Sequence, residues 1–200
     1  MNSHDVGRAY SARAQEYIDR LGSVTTVHPD DLAFIGRNLG RPSGPVVDLG
    51  CGPGHLTGHL HARGYDVRGI DPVPEFVSHA RATYPQSEFE VGSFTANTLT
   101  KGAMAGALAW YSLIHLEPRD LDRTLLGIHE LLAPGAILVV GFFAGAVLEP
   151  FEHAVTTAYR WPVPELTTRL AAAGFVQVDR LQRSAEGERR PHAALALRAG

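Results

Sequence analysis

The stretch VVDLGCGPG at residues 46–54 decides the fold of this chain. Its two valines and Leu49 are typical of the end of a buried parallel strand. Three glycines follow at alternate positions, and glycine tolerates a positive φ and lets a ligand approach bare backbone. Leu56 and Leu60, four residues apart, then predict one face of a helix. A strand, a glycine-rich loop and a helix N-terminus together predict a nucleotide-type site, the alternative being an ordinary turn between strand and helix.

The composition is that of a globular protein of one domain, with 200 residues, 44% hydrophobic and 20% charged. A net charge of −3 without a Lys/Arg stripe argues against a nucleic-acid partner. No apolar run reaches the length of a membrane span, the N-terminus lacks an apolar signal region, and the single cysteine cannot form an internal disulfide. We therefore expect a cytoplasmic protein with no membrane partner.

Two clusters of charged or ligating residues are interpreted as ordinary surface. The histidines at 55, 59 and 61 share a segment, but no Asp, Glu or Cys completes a metal set near them, so we expect no metal site. The one basic cluster is interrupted by acids, and we interpret it as a solvated turn. Its residues are Arg180, Arg183, Arg189 and Arg190, with Glu186 and Glu188 between them.

The pattern along the chain predicts alternating strands and helices after two N-terminal helices over 5–20 and 31–39. Strands are predicted over 66–70, 88–91, 105–111 and 137–143, and helices over 74–84, 119–132 and 164–173. Two further strands, 175–181 and 192–197, are joined by a short polar link. Such a link allows only antiparallel pairing, since a parallel pair needs a long crossover. The sequence therefore predicts a mostly parallel sheet with an antiparallel last strand.

Asp71 is a second signal for a nucleotide site, 21 residues beyond Gly50. It ends the second predicted strand and is followed by Pro72. In a βαβ nucleotide site, an acid at this position accepts hydrogen bonds from ribose hydroxyls. The alternative is that Asp71 caps the helix that starts near Pro74.

The glycine-rich loop combined with Asp71 resembles the cofactor site of class I S-adenosylmethionine-dependent methyltransferases, and most of all the bacterial small-molecule type. The resemblance covers roughly residues 44–198 and includes three further motifs: Gly92-Ser93-Phe94, Trp110 to His115, and Leu131 to Gly135. It implies a Rossmann-like, doubly wound α/β fold with seven strands, S-adenosylmethionine as cofactor, and methyl transfer to an oxygen, nitrogen or carbon atom of a small molecule.

The resemblance also implies roles for single residues. The methionine part of the cofactor would lie on Gly50, Cys51, Gly52 and Gly54, with Asp48 orienting its amino group. Asp71 would bind both ribose hydroxyls, and the adenine would lie between Pro72, Val73, Ser93 and Phe94. Many members have an acid where Ser93 stands, and serine accepts a hydrogen bond without charge assistance, so we expect weaker cofactor binding.

Methyl transfer depends mainly on in-line placement of the acceptor, and a base is needed only for a hydroxyl or a protonated amine. Trp110 and Tyr111 follow the fourth strand, where their faces suit a sulfonium by cation–π attraction, with plain packing as the alternative for Trp110. His115 is the best candidate for a base, the alternative being a histidine hydrogen-bonded at a helix start. Tyr111 and His153 complete the candidate catalytic residues.

The single domain, 1–200, is divided by these assignments into four parts. Residues 1–40 form a helical lid whose Tyr10 approaches the cofactor, and 44–143 form the cofactor-binding core. Residues 144–161 pass over the acceptor side, where their aromatic and ionisable side chains suit a pocket, or else anchor a surface loop. Residues 162–200 form the C-terminal helix and hairpin. The sequence leaves open a monomer or a homodimer.

Two other functions compete with methyl transfer. An NAD(P)-dependent oxidoreductase also uses a glycine loop and a distal acid, but its loop reads G-x-G-x-x-G, and His55 stands where the last glycine belongs. A non-catalytic S-adenosylmethionine-binding protein would have the same site, because a fold does not prove an activity.

Overall fold

The computed structural model describes residues 3–185, 187 and 190–200. A seven-stranded sheet lies between two layers of helices, and its strand order is β3-β2-β1-β4-β5-β9-β8. Its strands are β1 (Val46–Leu49), β2 (Val67–Asp71), β3 (Glu88–Val91), β4 (Met104–Trp110), β5 (Leu132–Phe143), β8 (Phe175–Arg183) and β9 (His192–Ala199). The helices are α1 (Ser3–Ser11), α2 (Ala14–Leu21), α3 (Pro29–Leu39), α4 (His55–Ala62), α5 (Pro74–Thr83), α6 (Pro118–Leu131) and α7 (Val163–Ala172). No helix in this described part is long and apolar enough to cross a membrane.

The sheet is parallel from β3 through β5, and β9 then pairs antiparallel with both β5 and β8. The predicted fold class, with its antiparallel last strand, is confirmed. The strand order reverses between β1 and β4, and open α/β sheets bind ligands in the crevice at such a point. The fold therefore places the glycine loop after β1 and the Trp110–Tyr111 segment after β4 on the two sides of one crevice.

The valines of β1 explain why this strand lies at the centre of the sheet. Val47 packs into the apolar cluster under α6 and α7, whereas Val46 packs into the cluster under α3 and α4. Both valines are fully buried. Successive side chains of a strand point to opposite faces, so a strand covered on both faces needs an apolar run instead of an alternating pattern. The core thus fixes the position from which the glycine loop begins.

The single N-terminal helix predicted over 5–20 is wrong, because the chain forms α1 and α2 with a break at Ala12 and Arg13. No Gly, Pro or capping side chain marks the break, so helix propensity does not reveal it. Tyr10 and Tyr17, one from each helix, pack on Phe76 of α5 at centroid distances of 5.9 and 5.2 Å. This packing holds both helices against the edge of the crevice.

Residues 144–161 contain a hairpin that the sequence did not reveal, formed by β6 (Glu149–Glu152) and β7 (Thr157–Arg160). Its residues are mostly polar or half-buried, which hides the strand pattern. A bridge between Ala144 and Trp161 closes its base, and Trp161 is buried in the core. The hairpin is also held to the loop after β4, where the Tyr159 amide donates to the Ile114 carbonyl at 2.8 Å.

The interpretation of the basic cluster as a solvated turn is wrong for two of its residues. Arg180 and Arg183 lie within β8, and the guanidinium of Arg183 binds the buried carboxylate of Asp31. Sequence reasoning missed this because Asp31 lies 152 residues away in α3. Arg190 is exposed and lies over the Phe151 ring at 4.9 Å. The remaining members, Glu186, Glu188 and Arg189, lie outside the described residues.

Candidate cofactor and acceptor site

A glycine stands at each of the three loop positions for a different structural reason. All adopt a positive φ, of 73° at Gly50, 53° at Gly52 and 86° at Gly54. A Cβ on Gly50 would lie 2.3 Å from the Cβ of Ser112, and one on Gly54 would lie 2.7 Å from the Cβ of Ala80. A Cβ on Gly52 would meet no atom closer than 4.0 Å. The outer glycines therefore permit packing of the loop, whereas the middle one leaves its backbone open to the crevice.

Asp71 is buried at the end of β2 and holds the glycine loop in place. Its carboxylate accepts from the Gly52 amide at 2.8 Å and from the Val73 amide at 2.9 Å. Burial raises the pKa of Asp71 to about 6, although both amide hydrogen bonds act in the opposite direction. Val73 is the N-cap residue of α5, so Asp71 holds both the glycine loop and the start of that helix. Each oxygen keeps lone-pair capacity for a further donor.

Asp48 is the second buried carboxylate of the site. It accepts from the Thr57 hydroxyl at 2.7 Å, and α4 supplies this threonine one turn into the helix. Burial raises the pKa of Asp48 to about 7, against the effect of the Thr57 hydrogen bond. The neighbouring Cys51 is buried, and burial raises the pKa of its thiol above the ordinary value, so no thiolate forms there at neutral pH.

A cavity of about 420 Å³ opens beside Asp71. Its walls come from the ends of β1, β2 and β4, from α1 and α2, and from the turn after β3. The lining includes Tyr10, Gly50, Gly52, Asp71, Pro72, Val73, Ser93, Phe94, Trp110, Tyr111 and His115. The Ser93 hydroxyl accepts from the Ala96 amide at 3.1 Å, so it stabilises its own turn while facing this cavity.

A second cavity of about 330 Å³ adjoins the first on the side of the C-terminal strands. The two share six residues: Tyr10, Tyr17, Gly50, Gly52, Trp110 and Tyr111. The second cavity is also lined by Asp31, Asp48, Cys51, Phe143, His153, Arg183, Arg190 and His192. The glycine loop and four aromatic side chains therefore form the passage between the two cavities, and buried carboxylates line both of them.

His115 is buried at the first cavity with both ring nitrogens occupied. Nδ1 lies 2.7 Å from the Thr157 carbonyl, and Nε2 lies 2.8 Å from the hydroxyl of Tyr10. Because a carbonyl only accepts, Nδ1 carries the proton and Nε2 accepts from Tyr10. Burial lowers the pKa of His115, the hydrogen bond to Thr157 acting against it, so the neutral ring is favoured.

Tyr111 adopts an unusual backbone conformation at the passage, with a φ of 56°. Its hydroxyl contacts Nδ1 of His192 in β9, and Nε2 of His192 lies 3.4 Å from a carboxylate oxygen of Asp31. Asp31 is bound in turn by the guanidinium of Arg183. The indole of Trp110, the residue before Tyr111, packs on Gly141, where an added Cβ would lie 2.7 Å from the ring. Non-glycine residues at positive φ are uncommon and concentrate at functional sites.

His153, from the loop of the β6–β7 hairpin, faces the second cavity. Its ring lies 5.2 Å from that of His115 and 5.8 Å from that of Phe143, measured between centroids. Its Nδ1 is buried without a hydrogen-bond partner within residues 3–185, 187 and 190–200. Burial lowers the pKa of His153 to about 4, helped by His115 and Arg190. The ring is therefore neutral at physiological pH, with an unused polar atom.

Comparison with known proteins identifies the segment that contains the glycine loop and Asp71. A family model described as a methyltransferase domain matches residues 46–135. Residues 46–135, a little under half of the chain, therefore resemble a methyltransferase domain. This match supports the predicted resemblance to class I S-adenosylmethionine-dependent methyltransferases and the prediction of S-adenosylmethionine as cofactor.

Individual relatives of the methyltransferase domain differ in what they act on. The chain is 36% identical over 102 residues to trans-aconitate 2-methyltransferase of Rhizobium meliloti, covering 50% of this chain and 38% of that one. It resembles the structure of Burkholderia thailandensis 1,6-didemethyltoxoflavin-N1-methyltransferase with a TM-score of 0.79 and 22% identity, covering 100% and 91% of the two chains. It also resembles a (4+2)-cyclase, SpnF, with a TM-score of 0.82 and 18% identity over 99% and 96%. The chain spans about half or less of the curated relatives it matches.

The residues of the methyltransferase domain fit S-adenosylmethionine. The first cavity combines an open glycine backbone, a buried carboxylate with free lone pairs, and apolar walls from Val73 and Phe94. These are the features that a methionine chain, two ribose hydroxyls and an adenine require. Asp48 and Cys51 line the second cavity instead, at the other end of the glycine loop.

One predicted cofactor residue of the methyltransferase domain does not reach either cavity. Gly54 lies behind the loop and leaves space for Ala80 and for the Phe89 ring, at 2.7 and 2.9 Å from an added Cβ. Conversely, the site contains Asp31, Arg183 and His192, which sequence reasoning did not assign to it. No local motif marks these three, because α3, β8 and β9 bring them together only in the folded chain.

Proposed function

We propose that this chain transfers a methyl group from S-adenosylmethionine to a small-molecule acceptor. The observation that carries this proposal is the geometry of Asp71. Its carboxylate is fixed by the amides of Gly52 and Val73 at the mouth of the first cavity, with lone pairs left for a ligand. A carboxylate so placed beside an open glycine backbone is suited to a nucleoside with two vicinal hydroxyls.

The chain's own residues have distinct roles in this proposal. The bound cofactor would supply a methyl group on a positively charged sulfur, already attached to a good leaving group. Gly50 and Gly52 would hold the methionine part with backbone atoms, and Asp71 would hold the ribose. Trp110 and Tyr111 line both cavities, so their rings would face the sulfonium at the passage and exclude water from it. The second cavity would hold the acceptor.

Three residues are proposed for the catalytic step. His115 has the unprotonated Nε2 that a base requires, and Tyr10 covers that atom, so a proton would reach it through the Tyr10 hydroxyl. His153 is neutral and faces the acceptor cavity, and Tyr111 lies at the passage. If the His115→Ala variant turns over normally across pH 6–9, His115 is not the base.

Calorimetry with S-adenosylhomocysteine tests the proposed cofactor site directly. Asp71→Asn keeps the shape of the side chain but removes its charge, and we expect affinity to fall about 10- to 100-fold, as for other charge-assisted hydrogen bonds. Asp66→Asn is the matched control, because Asp66 lies just before the same strand and is exposed. Equal affinities for the two variants, or preferential binding of NADH by the wild type, would contradict the proposal.

The remaining assignments are proposals of the same kind. Residues 1–40 act as a lid, 44–143 as the cofactor-binding core, 144–161 as the acceptor side, and 162–200 as the closing helix and hairpin. The acceptor is a small molecule and not a nucleic acid, and the protein acts in the cytoplasm as a monomer or a homodimer. The packing of Tyr10 and Tyr17 beside both cavities supports the lid. Light scattering with and without S-adenosylhomocysteine tests the oligomeric state.

A further inference from the structure

Four side chains on one wall of the second cavity form a connected polar chain. Tyr111 contacts His192, His192 faces Asp31, and Asp31 binds Arg183. All four line the cavity, and both His192 and Asp31 are at least 96% buried there, with exposed fractions of 3% and 4%. Most buried polar groups in proteins have a hydrogen-bond partner, so the neighbours of each atom in this chain indicate where its hydrogens lie.

The arrangement of hydrogens in this chain has one consistent solution. The Asp31 carboxylate accepts both hydrogen bonds of its pair with the Arg183 guanidinium, so its oxygens face their neighbours as acceptors. Nε2 of His192 faces one of those oxygens at 3.4 Å and has no aligned hydrogen bond to any described residue, so a lone pair on Nε2 would be repelled. Nε2 therefore carries the proton, and Nδ1 accepts the hydroxyl hydrogen of Tyr111.

The electrostatic surroundings keep this histidine neutral. Burial lowers the pKa of His192 to about 4, with Arg183 and His28 acting in the same direction and Asp31 against them. Burial also raises the pKa of Tyr111 above its ordinary value, aided by Asp31, so the phenol keeps its hydrogen. Because the neutral ring of His192 carries its proton on Nε2, the hydrogen bond runs in one direction, from the Tyr111 hydroxyl to Nδ1 of His192.

In the Tyr10–His115 pair the tyrosine also donates its hydroxyl hydrogen to the histidine, but the histidine is the opposite tautomer. Nδ1 of His115 donates to the Thr157 carbonyl, so Nε2 accepts the hydrogen of the Tyr10 hydroxyl. Two of the three tyrosines that line both cavities, Tyr10 and Tyr111, thus donate their hydroxyl hydrogens to a histidine. Each phenol oxygen is left with lone pairs alone for a ligand, and such an oxygen binds N–H or O–H groups and repels a carboxylate.

We propose that Tyr111, held by His192 and Asp31, selects a methyl acceptor whose nucleophilic nitrogen or oxygen carries a hydrogen, such as a flat N-heterocycle or a phenol, and rejects carboxylates. The inference rests on the proposed methyl transfer. In the reaction, the acceptor atom forms the new bond to carbon with its own electron pair, and sulfur keeps the pair of the broken carbon–sulfur bond. As the new bond forms, the N–H or O–H proton passes to the proposed base and reaches Nε2 of His115 through the hydroxyl of Tyr10. His192 and Asp31 are positioning residues that act through Tyr111.

Nitrogen NMR of the histidine side chains tests the arrangement without any ligand. In protein labelled at the histidine nitrogens, we expect His192 to be protonated on Nε2 only at pH 7.5, and His115 on Nδ1 only. The variants His192→Asn and His115→Asn assign the two signals, since each removes one of them. A doubly protonated His192, or one protonated on Nδ1, overturns the proposal whatever the acceptor is.

Binding of three related probes tests the acceptor class in protein saturated with S-adenosylhomocysteine. Benzimidazole carries an N–H, 1-methylbenzimidazole lacks it, and benzoate carries a carboxylate on a similar ring. We expect benzimidazole to bind about fivefold to tenfold more tightly than its methylated analogue, as for one hydrogen bond, and more tightly than benzoate. Equal affinities for the two benzimidazoles, or tighter binding of benzoate, contradict the proposed class.

Three variants connect the probe result to the polar chain of Tyr111, His192 and Asp31. Tyr111→Phe keeps the ring at the passage and is expected to abolish the difference between benzimidazole and 1-methylbenzimidazole. His192→Asn retains an acceptor for the Tyr111 hydroxyl and is expected to preserve part of the difference, whereas His192→Leu is expected to remove it. Retention of the full difference in Tyr111→Phe overturns the role of Tyr111. If S-adenosylhomocysteine itself fails to bind, the proposed function fails, and the NMR result still decides the tautomers.

Discussion

The cofactor side and the acceptor side of the crevice are built from the sequence in different ways. On the cofactor side, the loop that starts at Gly50 is held by Asp71, only 19 residues beyond Gly52, and by backbone hydrogen bonds to Ile70. On the acceptor side, the partners Tyr111 and His192 are 81 residues apart, and Asp31 and Arg183 are 152 apart. Backbone geometry and short-range contacts fix the first region, whereas side-chain packing across the whole fold fixes the second.

Glycine substitutions in the loop show the largest effect expected from this comparison. Gly50→Ala places a Cβ 2.3 Å from Ser112 at a φ of 73°, and we expect it to lower the free energy of unfolding by about 3 kcal/mol. Gly52→Ala has open space around its Cβ and is expected to cost about 1 kcal/mol, from backbone strain alone. Urea unfolding measures both, and similar losses for the two would show that the loop glycines are equivalent.

Removal of an arginine partner tests the long-range construction of the acceptor side. Arg183→Met leaves the carboxylate of Asp31 buried without its cation, and we expect a loss of about 2 kcal/mol, less than for a fully buried pair because Arg183 is partly exposed. Arg68→Met is the matched control, since Arg68 pairs with the exposed Glu88, and such pairs contribute less than about 1 kcal/mol. If both variants unfold at the same urea concentration, the Asp31–Arg183 pair does not stabilise this wall.

The N-terminal helices join the two regions, because Tyr10 and Tyr17 line both cavities. We expect removal of residues 1–20 to weaken S-adenosylhomocysteine binding at least about tenfold, since the aromatic cover of the passage is lost and about 1.4 kcal/mol corresponds to a factor of ten. Calorimetry, at a temperature where the shortened chain remains folded, measures its affinity for S-adenosylhomocysteine. An unchanged affinity would assign these helices to the acceptor alone.

Acidification gives the smallest of the expected effects. The pKa of His153 in the folded chain is about 4, below the ordinary value, so the unfolded chain binds more protons between pH 4 and 6.5. His153 therefore favours folding fully above that window, and its contribution is lost as the pH falls through it. We expect His153→Gln to reduce the acid loss of stability between pH 7.5 and 4.5 by about 1 kcal/mol after solvent screening.

A carboxyl on the cofactor side provides the matched opposite case. The pKa of Asp71 is raised to about 6, so the folded chain binds more protons between pH 4 and 6, and Asp71 disfavours folding as the pH rises through that window. Asp71→Asn is therefore expected to increase the loss of folding stability on acidification, whereas His153→Gln reduces it. Urea midpoints at four pH values measure both slopes. Parallel curves for the wild type and the two variants would contradict this account.

The sequence predicted most of the helices and strands and the position of the glycine loop beside Asp71. An apolar strand, a glycine loop and an acid at the next strand end are adjacent in the chain, and their geometry follows from local backbone rules. The break between α1 and α2, the β6–β7 hairpin and the Asp31–Arg183 contact were not predicted. Each depends on which distant side chains meet, and neither propensity nor periodicity carries that information for residues 152 apart.

The β6–β7 hairpin pairs with no strand of the large sheet, and the Ala144–Trp161 bridge and the Tyr159–Ile114 hydrogen bond join it to the main body. Its loop lines the second cavity through His153. A library of sequences confined to residues 145–156 would therefore vary substrate choice while leaving the strands that support the glycine loop intact. For enzyme engineering, the sequence of the hairpin loop can therefore be exchanged while the crevice beneath it stays the same.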